Sequence, residues 1–473
     1  MNASSAQKQY NGVKERAKVL LQTLRRFFNS ELFYVFETLF ACLLVVMRQE
    51  VIGAVIFVAL ISLLLIVCED ILPTTLPFLL LCTFTTNCYD SFDTFIGYAI
   101  YAPVVIAALI AHFVVYRGTL KIGESVYGIC LVSIAVLLGG VGDFTLKQYV
   151  SGAYYIFGLG TGMIFVYMLM KSAFSARRGY DVRMKFAAVM TLVGVLCSFM
   201  IATGYVRRYL HLSTGAYTIG FSPNNLATLL MFAMPFPIYL SRKQLPIVIL
   251  TPVFLAMLCL TKSRGGLIFG CMEFFICCLY WVCMGKKHKT ERIIYCVAAL
   301  GAVACAFGRV VLDMLQDRVF ADGVIISNVR FTMFGQALDN FYKRPFVGTG
   351  ILDESIWYSD TKKQGAMTWY HMMIPQVVGS MGLIGIVAYG FQILQRVKLT
   401  FQKRSTWSLA LGISYLGLLM MSQVNPGEFC PLPFGLLAVL LFIFQEIRLE
   451  YDDLPLTGKQ FHSGKSRCKK GGV

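Results

Sequence analysis

The sequence predicts an all-α polytopic membrane protein, and three observations support this. Hydrophobic residues make up 57% of the 473-residue chain, and its mean hydropathy is +0.67. Only 14% of the residues are charged, whereas soluble domains carry about 25%. Apolar stretches of spanning length recur from Glu31 almost to the C-terminus. A soluble chain of this length would form about three domains, but we expect one bundle of helices instead.

We predict about fourteen transmembrane helices. A spanning helix needs about 20 apolar residues, and fewer where it is packed inside a bundle. The segments that fit are 31–47, 51–68, 71–88, 95–116, 122–142, 152–170, 186–204, 226–240, 246–261, 266–284, 293–311, 372–394, 407–423 and 431–447. Together they define one membrane bundle over residues 31–447.

The distribution of Lys and Arg orients this bundle. With the N-terminus inside, the inner loops and the two terminal segments contain 29 of these residues, and the short outer loops contain six. Cytoplasmic segments of membrane proteins carry such an excess. We therefore expect both termini in the cytoplasm and the long polar loop 312–370 on the extracytoplasmic side.

Both terminal segments are basic. Residues 1–30 contain six Lys and Arg, and apolar residues recur among them at helical spacing. Two interpretations are open for this segment: an amphipathic helix on the inner membrane surface, or a disordered basic tail. For residues 448–473 we expect a disordered cytoplasmic tail close to anionic lipid.

The formal charge of +17 could indicate a nucleic-acid partner. Short loops and tails hold this charge, as orientation in a membrane requires, so we expect membrane lipids and no nucleic acid. Seven of the 15 cysteines, from Cys259 to Cys305, lie within or beside apolar segments, where cysteine acts as a small apolar residue. No zinc-type spacing with histidine is present. We expect no disulfide framework, no metal and no other cofactor.

Three outer loops, 205–225, 262–265 and 312–370, each precede a helix that runs inwards. Ser222-Pro223 has the pattern of an N-cap followed by a first-turn proline, and Gly265-Gly266 would let the backbone turn tightly. Helix N-termini expose free N–H groups and carry partial positive charge. The outer face is therefore predicted to bind an anion.

Arginines in these loops strengthen that prediction, because the guanidinium fork binds phosphate oxygens bidentately. The candidates for binding a phosphate or diphosphate are Arg207, Arg208, Arg264 and Arg330. Arg264 has an alternative as a flanking charge at a helix end. Arg207 and Arg208 are neighbours, so at most one is expected to face the site. Arg330 lies in a stretch of helical spacing, which suggests a re-entrant or surface helix.

His371 stands where the long loop enters the next apolar segment. Histidine titrates near neutral pH and can accept a proton from a hydroxyl, although a histidine beside Trp369-Tyr370 can also be a simple interfacial residue. Asp353 and Glu354 follow the Gly348-x-Gly350 turn. They could orient sugar hydroxyls or act as an alternative base, or they could be solvated loop residues.

At these positions the chain resembles the bacterial O-antigen ligase and O-antigen polymerase superfamily. Three stretches carry the resemblance: Ser222-Pro-Asn-Asn-Leu-Ala227; Thr261-Lys-Ser-Arg-Gly-Gly266; and the run from Arg330 through Arg344-Pro-Phe-Val-Gly-Thr-Gly350 and His371 to Gly382-Leu-Ile-Gly385. It covers about residues 200–390. Met372 stands where the family has Asn, and Ser380 where it has an acidic residue.

The resemblance implies a metal-independent inverting glycosyltransferase with a membrane glycosyltransferase C-type bundle in the bacterial cytoplasmic membrane. It implies a donor glycan on undecaprenyl diphosphate and a glycan or lipid acceptor with a sugar hydroxyl. It carries the family's key arginines onto Arg264, onto Arg207 or Arg208, and onto Arg330, and its histidine onto His371. Polymerase and ligase activities both fit.

A lipid-oligosaccharide flippase or other transporter is the alternative. Transporters place ionisable residues in mid-membrane and use broken helices in repeated halves. Few charges lie near the centres of the predicted spans, and polar residues gather in the outer loops. The sequence therefore favours chemistry at the extracytoplasmic face.

Overall fold

The computed structural model describes residues 3–87, 98–116, 120–140, 157–174, 182–210, 223–284, 288–315, 329–351, 370, 372–402, 405–425, 427–429 and 434–446. These residues form helices and short turns. The α-helices are α1 (Ala3–Phe28), α2 (Glu31–Met47), α3 (Glu50–Val67), α4 (Leu72–Asn87), α5 (Ala102–Tyr116), α6 (Val126–Gly140), α7 (Thr161–Phe174), α8 (Val182–Tyr209), α9 (Pro223–Ala233), α10 (Pro235–Leu240), α11 (Leu250–Leu260), α12 (Arg264–Cys283), α13 (Lys289–Leu315), α14 (Val329–Lys343), α15 (Met373–Gln402), α16 (Thr406–Met421) and α17 (Leu436–Glu446). Short 3-10 helices cover Tyr98–Tyr101, Leu245–Ile249 and Gly427–Phe429.

The helical membrane architecture is confirmed in its coarse form. Five described helices are long and apolar enough to cross a membrane: α3, α8, α12, α13 as far as Arg309, and α15. Six further apolar helical segments have 10–17 residues. The total of fourteen spans and the long extracytoplasmic loop 312–370 stay predictions, as does the division into residues 1–30, 31–447 and 448–473.

Large apolar side chains cover much of the outer surface. Leu32 on α2 is 70% exposed, Ile110 on α5 is 60% exposed and Val297 on α13 is 66% exposed. In α13, no residue of the most apolar 18-residue window is buried. A soluble monomer rarely exposes so much contiguous apolar surface, so these faces suit contact with lipid.

The N-terminal segment is an α-helix over Ala3–Phe28. Its last turn docks on the bundle. The guanidinium of Arg25 donates to the Val67 carbonyl at 2.8 Å and to the Tyr116 hydroxyl at 3.0 Å. Arg25 thereby binds one of the free carbonyls at the end of α3. Its place on the inner membrane surface stays a prediction.

The interior divides into apolar clusters of unequal size. The largest includes residues of α8 to α12, α16 and α17. A smaller cluster joins α6 to α15 and contains Phe429, whose ring stacks on Tyr389 with centroids 5.2 Å apart. Met381 of α15 also belongs to this cluster, so the start of α15 packs against α6.

The bundle interior holds more charge than the apolar pattern predicts. Glu37 of α2 is 2% exposed and Glu273 of α12 is fully buried. Neither carboxylate has a hydrogen-bond partner among the described residues. Arg396 is buried and pairs with Glu428. The predicted span 372–394 would leave Arg396 in the loop that follows it, which is wrong, because α15 continues as a helix to Gln402 and Arg396 is buried.

Candidate functional site

The Thr261–Gly266 stretch forms the start of α12 and places Arg264 at its first helical residue. Lys262 has a left-handed backbone with φ of 56°. Ser263 is the N-cap, and its hydroxyl accepts from the Gly266 N–H at 3.1 Å. The cap satisfies one of the first-turn N–H groups of α12, and a helix start carries partial positive charge that suits an anion. The half-buried Arg264 therefore adds its charge to a positive helix end.

The two glycines after Arg264 act differently from our prediction. Neither has a positive φ, and Lys262 makes the tight turn instead. A Cβ on Gly266 would lie 2.7 Å from the Cβ of Ala227, and a Cβ on Gly265 would overlap Val424. Glycine is needed here so that two neighbouring segments can approach α12 closely.

The first of these segments is the start of α9. Helix α9 begins at Pro223, as the Ser-Pro pattern predicts. The Ser263 hydroxyl donates to the side-chain oxygen of Asn224 at 2.7 Å. This bond and the Ala227–Gly266 contact hold the N-termini of α9 and α12 side by side.

The second segment is the turn of residues 422–425 after α16, here named the Ser422 turn. Its Asn425 amide donates to the side-chain oxygen of Asn225 at 3.1 Å. Its Ser422 carbonyl accepts from the N–H of Met373 at 2.7 Å. Val424 packs on Gly265. The turn therefore joins the starts of three helices, α9, α12 and α15.

We did not predict a role for the Ser422 turn. The sequence contains a usable signal, since Asn425-Pro426-Gly427 is a turn pattern with a polar side chain, directly after an apolar helix. Nothing in the pattern identifies its partners, because Asn225 and Met373 are distant in the chain.

The glycine turn of the long segment is docked on a break in α15. Gly382 interrupts that helix with φ of 58° and ψ of −148°. The N–H groups of Leu383 and Ile384 donate to the carbonyls of Pro345 and Phe346 at 2.8 and 3.1 Å. Residues 345–350 thus replace hydrogen bonds that the broken helix lacks.

The same docking continues on the other side of the break. The N–H groups of Thr349 and Gly350 donate to the carbonyls of Gly379 and Ser380, each at 3.0 Å. Gly348 has φ of +71°, and a Cβ there would overlap the backbone of Ser380. The Gly348-x-Gly350 pattern therefore reflects backbone packing against α15.

Helix α14 carries Arg330 as its second residue, and the predicted helix around Arg330 is confirmed. The Asn340 amide of α14 donates to the Tyr370 hydroxyl at 2.9 Å. The Tyr370 N–H donates to the Gln376 side-chain oxygen at 3.2 Å, and Tyr370 is fully buried. Helix α14 is thereby tied to the residue that precedes His371. The direction of the Arg330 side chain lies outside what is described.

Arg207 and Arg208 lie at the end of α8 and differ in their surroundings. The guanidinium of Arg207 donates to the carbonyl of Val46, and at 3.4 Å to that of Val45, in the last turn of α2. Arg208 is exposed. Arg207 therefore binds carbonyls at a helix end, and the Val45 carbonyl also accepts from the Arg48 N–H. No sequence pattern predicted this contact.

The remaining candidates are outside the described residues. They are His371, Asp353 and Glu354. The neighbours of His371 on both sides are described, and two bonds anchor them, from the Tyr370 N–H to Gln376 and from the Met373 N–H to Ser422. Among the described residues, no three His, Cys, Asp or Glu side chains are grouped so that they could hold a metal ion.

Part of the chain matches a known family. Residues 248–390 match the family model described as O-antigen ligase. No curated protein matches the chain. The matched segment begins before α11 and ends within α15, so it includes the Arg264 turn, α14, the glycine turn and the break at Gly382. Residues 248–390 are therefore similar to the O-antigen ligase family, and the resemblance to the O-antigen ligase and O-antigen polymerase superfamily is confirmed over that segment.

Proposed function

We propose that the protein transfers a glycan from undecaprenyl diphosphate to a sugar hydroxyl on the extracytoplasmic face of the bacterial cytoplasmic membrane. The product would be a surface polysaccharide such as O-antigen, capsule or exopolysaccharide. The observation that carries this proposal is the meeting of three helix N-termini, at Pro223, Arg264 and Met373, within a chain whose residues 248–390 match the O-antigen ligase family.

Arg264 is assigned to the diphosphate. When the bond between the anomeric carbon and the diphosphate breaks, its electron pair remains on the leaving oxygen. A fixed cation and free N–H groups at a helix start stabilise such developing charge. Arg208 and Arg330 are further candidates for the same phosphates, and Arg207 is the weaker candidate because it already binds the end of α2.

His371 is assigned to the acceptor. Its imidazole would take the proton of the attacking hydroxyl while the hydroxyl oxygen bonds to the anomeric carbon. Attack from the face opposite the diphosphate inverts that carbon through an oxocarbenium-like state. The donor brings its own leaving group, so the step needs no ATP, and the family resemblance implies that it needs no metal. Asp353 and Glu354 are proposed to contact the glycan.

The test is an assay with purified protein and undecaprenyl-diphosphate oligosaccharide. Arg264→Ala should lower kcat by about 10²–10³-fold, as loss of an oxyanion donor does. His371→Ala should lower it by about 10²–10⁴-fold. Arg242→Ala is the control, since this arginine donates to Thr406 at the start of α16, whereas the Ser422 turn follows the other end of that helix. We expect it to keep wild-type activity.

The assay also separates the possible activities. A ladder of longer lipid-linked glycans with donor alone identifies a polymerase. Transfer only after a separate acceptor is added identifies a ligase. If wild type releases no diphosphate under either condition, the enzyme proposal fails.

A transporter or lipid-oligosaccharide flippase is the second candidate, and one observation favours it. Glu37 and Glu273 are carboxylates inside the bundle without hydrogen-bond partners among the described residues, and ionisable groups within spans often belong to transport paths. Movement of lipid-linked oligosaccharide across proteoliposomes, lost in Glu273→Gln, would support that function.

A further inference from the structure

Behind the Ser422 turn lies a buried triad of Arg396, Tyr415 and Glu428, here named the Glu428 triad. The Arg396 guanidinium pairs with the Glu428 carboxylate and donates to the Tyr415 hydroxyl at 2.7 Å. The Tyr415 hydroxyl donates to the other Glu428 oxygen at 3.1 Å. The side chains of Arg396 and Glu428 are only 4% and 6% exposed. Every member of the triad therefore has at least one partner inside it.

Aromatic rings fix the direction of the arginine. Its guanidinium carbon lies 4.9 Å from the centre of the Tyr415 ring and 4.7 Å from that of Phe442 on α17. Cation–π contacts of this kind are strongest where water is excluded. Helices α15, α16 and α17 thus converge on one carboxylate, which comes from the chain that follows the Ser422 turn.

The backbone connects that carboxylate to the Ser422 turn. The Glu428 N–H donates to the Ser422 hydroxyl at 3.1 Å, and this hydroxyl donates to the Leu418 carbonyl at 2.7 Å. Gly427 has φ of +52° and packs so closely on Ser422 that a Cβ would overlap it. The chain therefore folds back on Ser422, and the triad holds it there.

We propose that Arg396, Tyr415 and Glu428 are positioning residues for the glycosyl transfer. They hold the Ser422 turn in place, and the turn sets the start of α15 through Met373 and the start of α9 through Asn425–Asn225. Met373 stands two residues after His371, the group assigned to the acceptor hydroxyl. This inference rests on the proposed function, because the reaction is what the positioned groups serve.

The charges of Arg396 and Glu428 are buried next to the Ser422 turn. Removing two charges from water is unfavourable, so a buried ion pair is weak evidence for a stabilising role. Its geometry is nevertheless specific, because the fork of Arg396 accepts few alternative arrangements of its partners. A fixed turn beside the reacting groups keeps them in position, and a displacement of about 1 Å can lower a reaction rate about 100-fold.

The kinetic test compares Tyr415→Phe and Glu428→Gln with wild type. Tyr415→Phe keeps the ring and the ion pair, so it is the variant chosen to fold normally. We expect kcat to fall by about 10- to 100-fold while KM for the lipid-linked donor changes by less than about 3-fold, since Arg264 is untouched. Tyr167→Phe and Glu446→Gln, in the similar buried group of Tyr167, Lys171 and Glu446, are the controls and should keep wild-type kcat.

An equal loss of kcat in both sets of variants, or no loss of kcat in either set, would overturn the inference.

A second measurement does not depend on activity. In the double variant Asn225→Cys and Asn425→Cys, a short bismaleimide should join the two side chains, read by mass spectrometry of the linked peptides. Glu428→Gln should slow this reaction by at least about 3-fold, whereas Glu446→Gln should not. If cross-linking follows this pattern but wild type transfers no glycan, the proposed function fails and the triad's hold on the turn stands. If wild type transfers glycan and cross-linking ignores Glu428, only the positioning inference fails.

Discussion

Two buried groups of a tyrosine, a carboxylate and a cation lie in different parts of the bundle. In the Glu428 triad the carboxylate belongs to a turn, and in the group of Tyr167, Lys171 and Glu446, here named the Glu446 triad, it ends helix α17. Glu446 also accepts from the Ser125 N–H at 2.5 Å, so it ties α17 to α7 and to the start of α6. The chemistry is alike, but only the Glu428 triad is bonded through its backbone to the Ser422 turn. The structural role of a buried ion pair therefore depends on which segments are bonded to the backbone of its residues.

Removing one cation should give the largest difference in stability. Arg396→Leu leaves Glu428 buried without its partner, and such a loss costs about 3–5 kcal/mol. Lys171→Leu should cost less, because the Lys171 side chain is 12% exposed and that of Arg396 only 4%. Thermal unfolding in detergent, followed by tryptophan fluorescence, measures both. A shift in Tm for Lys171→Leu that equals or exceeds that of Arg396→Leu would contradict this expectation.

Adding one methyl group tests the backbone at each triad. Gly427→Ala forces a side chain onto a residue with φ of +52° and into Ser422, so we expect a cost of about 1–3 kcal/mol and a clear loss of transfer. Gly123→Ala would meet only the ends of the Glu446, Lys171 and Tyr167 side chains, which can move, so activity should be retained. Unfolding curves and initial transfer rates measure the pair. Equal loss of transfer in both variants would mean that the turn has no special position.

The smallest effect is expected from the link between the Ser422 turn and α9. Asn425→Ala removes the bond to Asn225, and a hydrogen bond contributes about 0.5–1.5 kcal/mol. Gln423→Ala, in the same turn, is the control, because its side-chain amide donates to the Leu419 carbonyl of the preceding helix and not to α9. We expect Asn425→Ala to lower the transfer rate a few-fold and Gln423→Ala to leave it unchanged, with similar Tm values for the two variants. If the two rates match, the contact with α9 is dispensable.

The sequence predicted the parts of the site that depend on local signals. Hydropathy indicated a helical membrane protein, the Ser-Pro pattern predicted the start of α9 at Pro223, and the Thr261–Gly266 pattern predicted that Arg264 lies at a helix end. These features follow from capping and from backbone geometry within a few residues. The purpose of Gly265 and Gly266 was not predicted, because close approach to Val424 and Ala227 is a property of the packed bundle.

The Glu428 triad could not be predicted in the same way. Arg396 reads as one of several basic residues near a loop, and Glu428 as part of the short loop 424–430 on the opposite side. Their pairing requires α15 to extend as a helix through Arg396 and the chain after Asn425 to fold back into the bundle. Neither event leaves a periodic or compositional signal. The contact of Arg207 with the end of α2 was hidden for the same reason, since it joins residues about 160 positions apart.

The break in α15 at Gly382 has a consequence for the design of chimeras. Residues 345–350 complete the hydrogen bonding of that helix from both sides of the break, so in a domain swap they belong to the recipient scaffold and not to the insert. Junctions for exchanging the long segment between relatives should therefore be cut after Ile351 and before Tyr370. A graft that starts at Arg344 would place foreign residues against the break in α15.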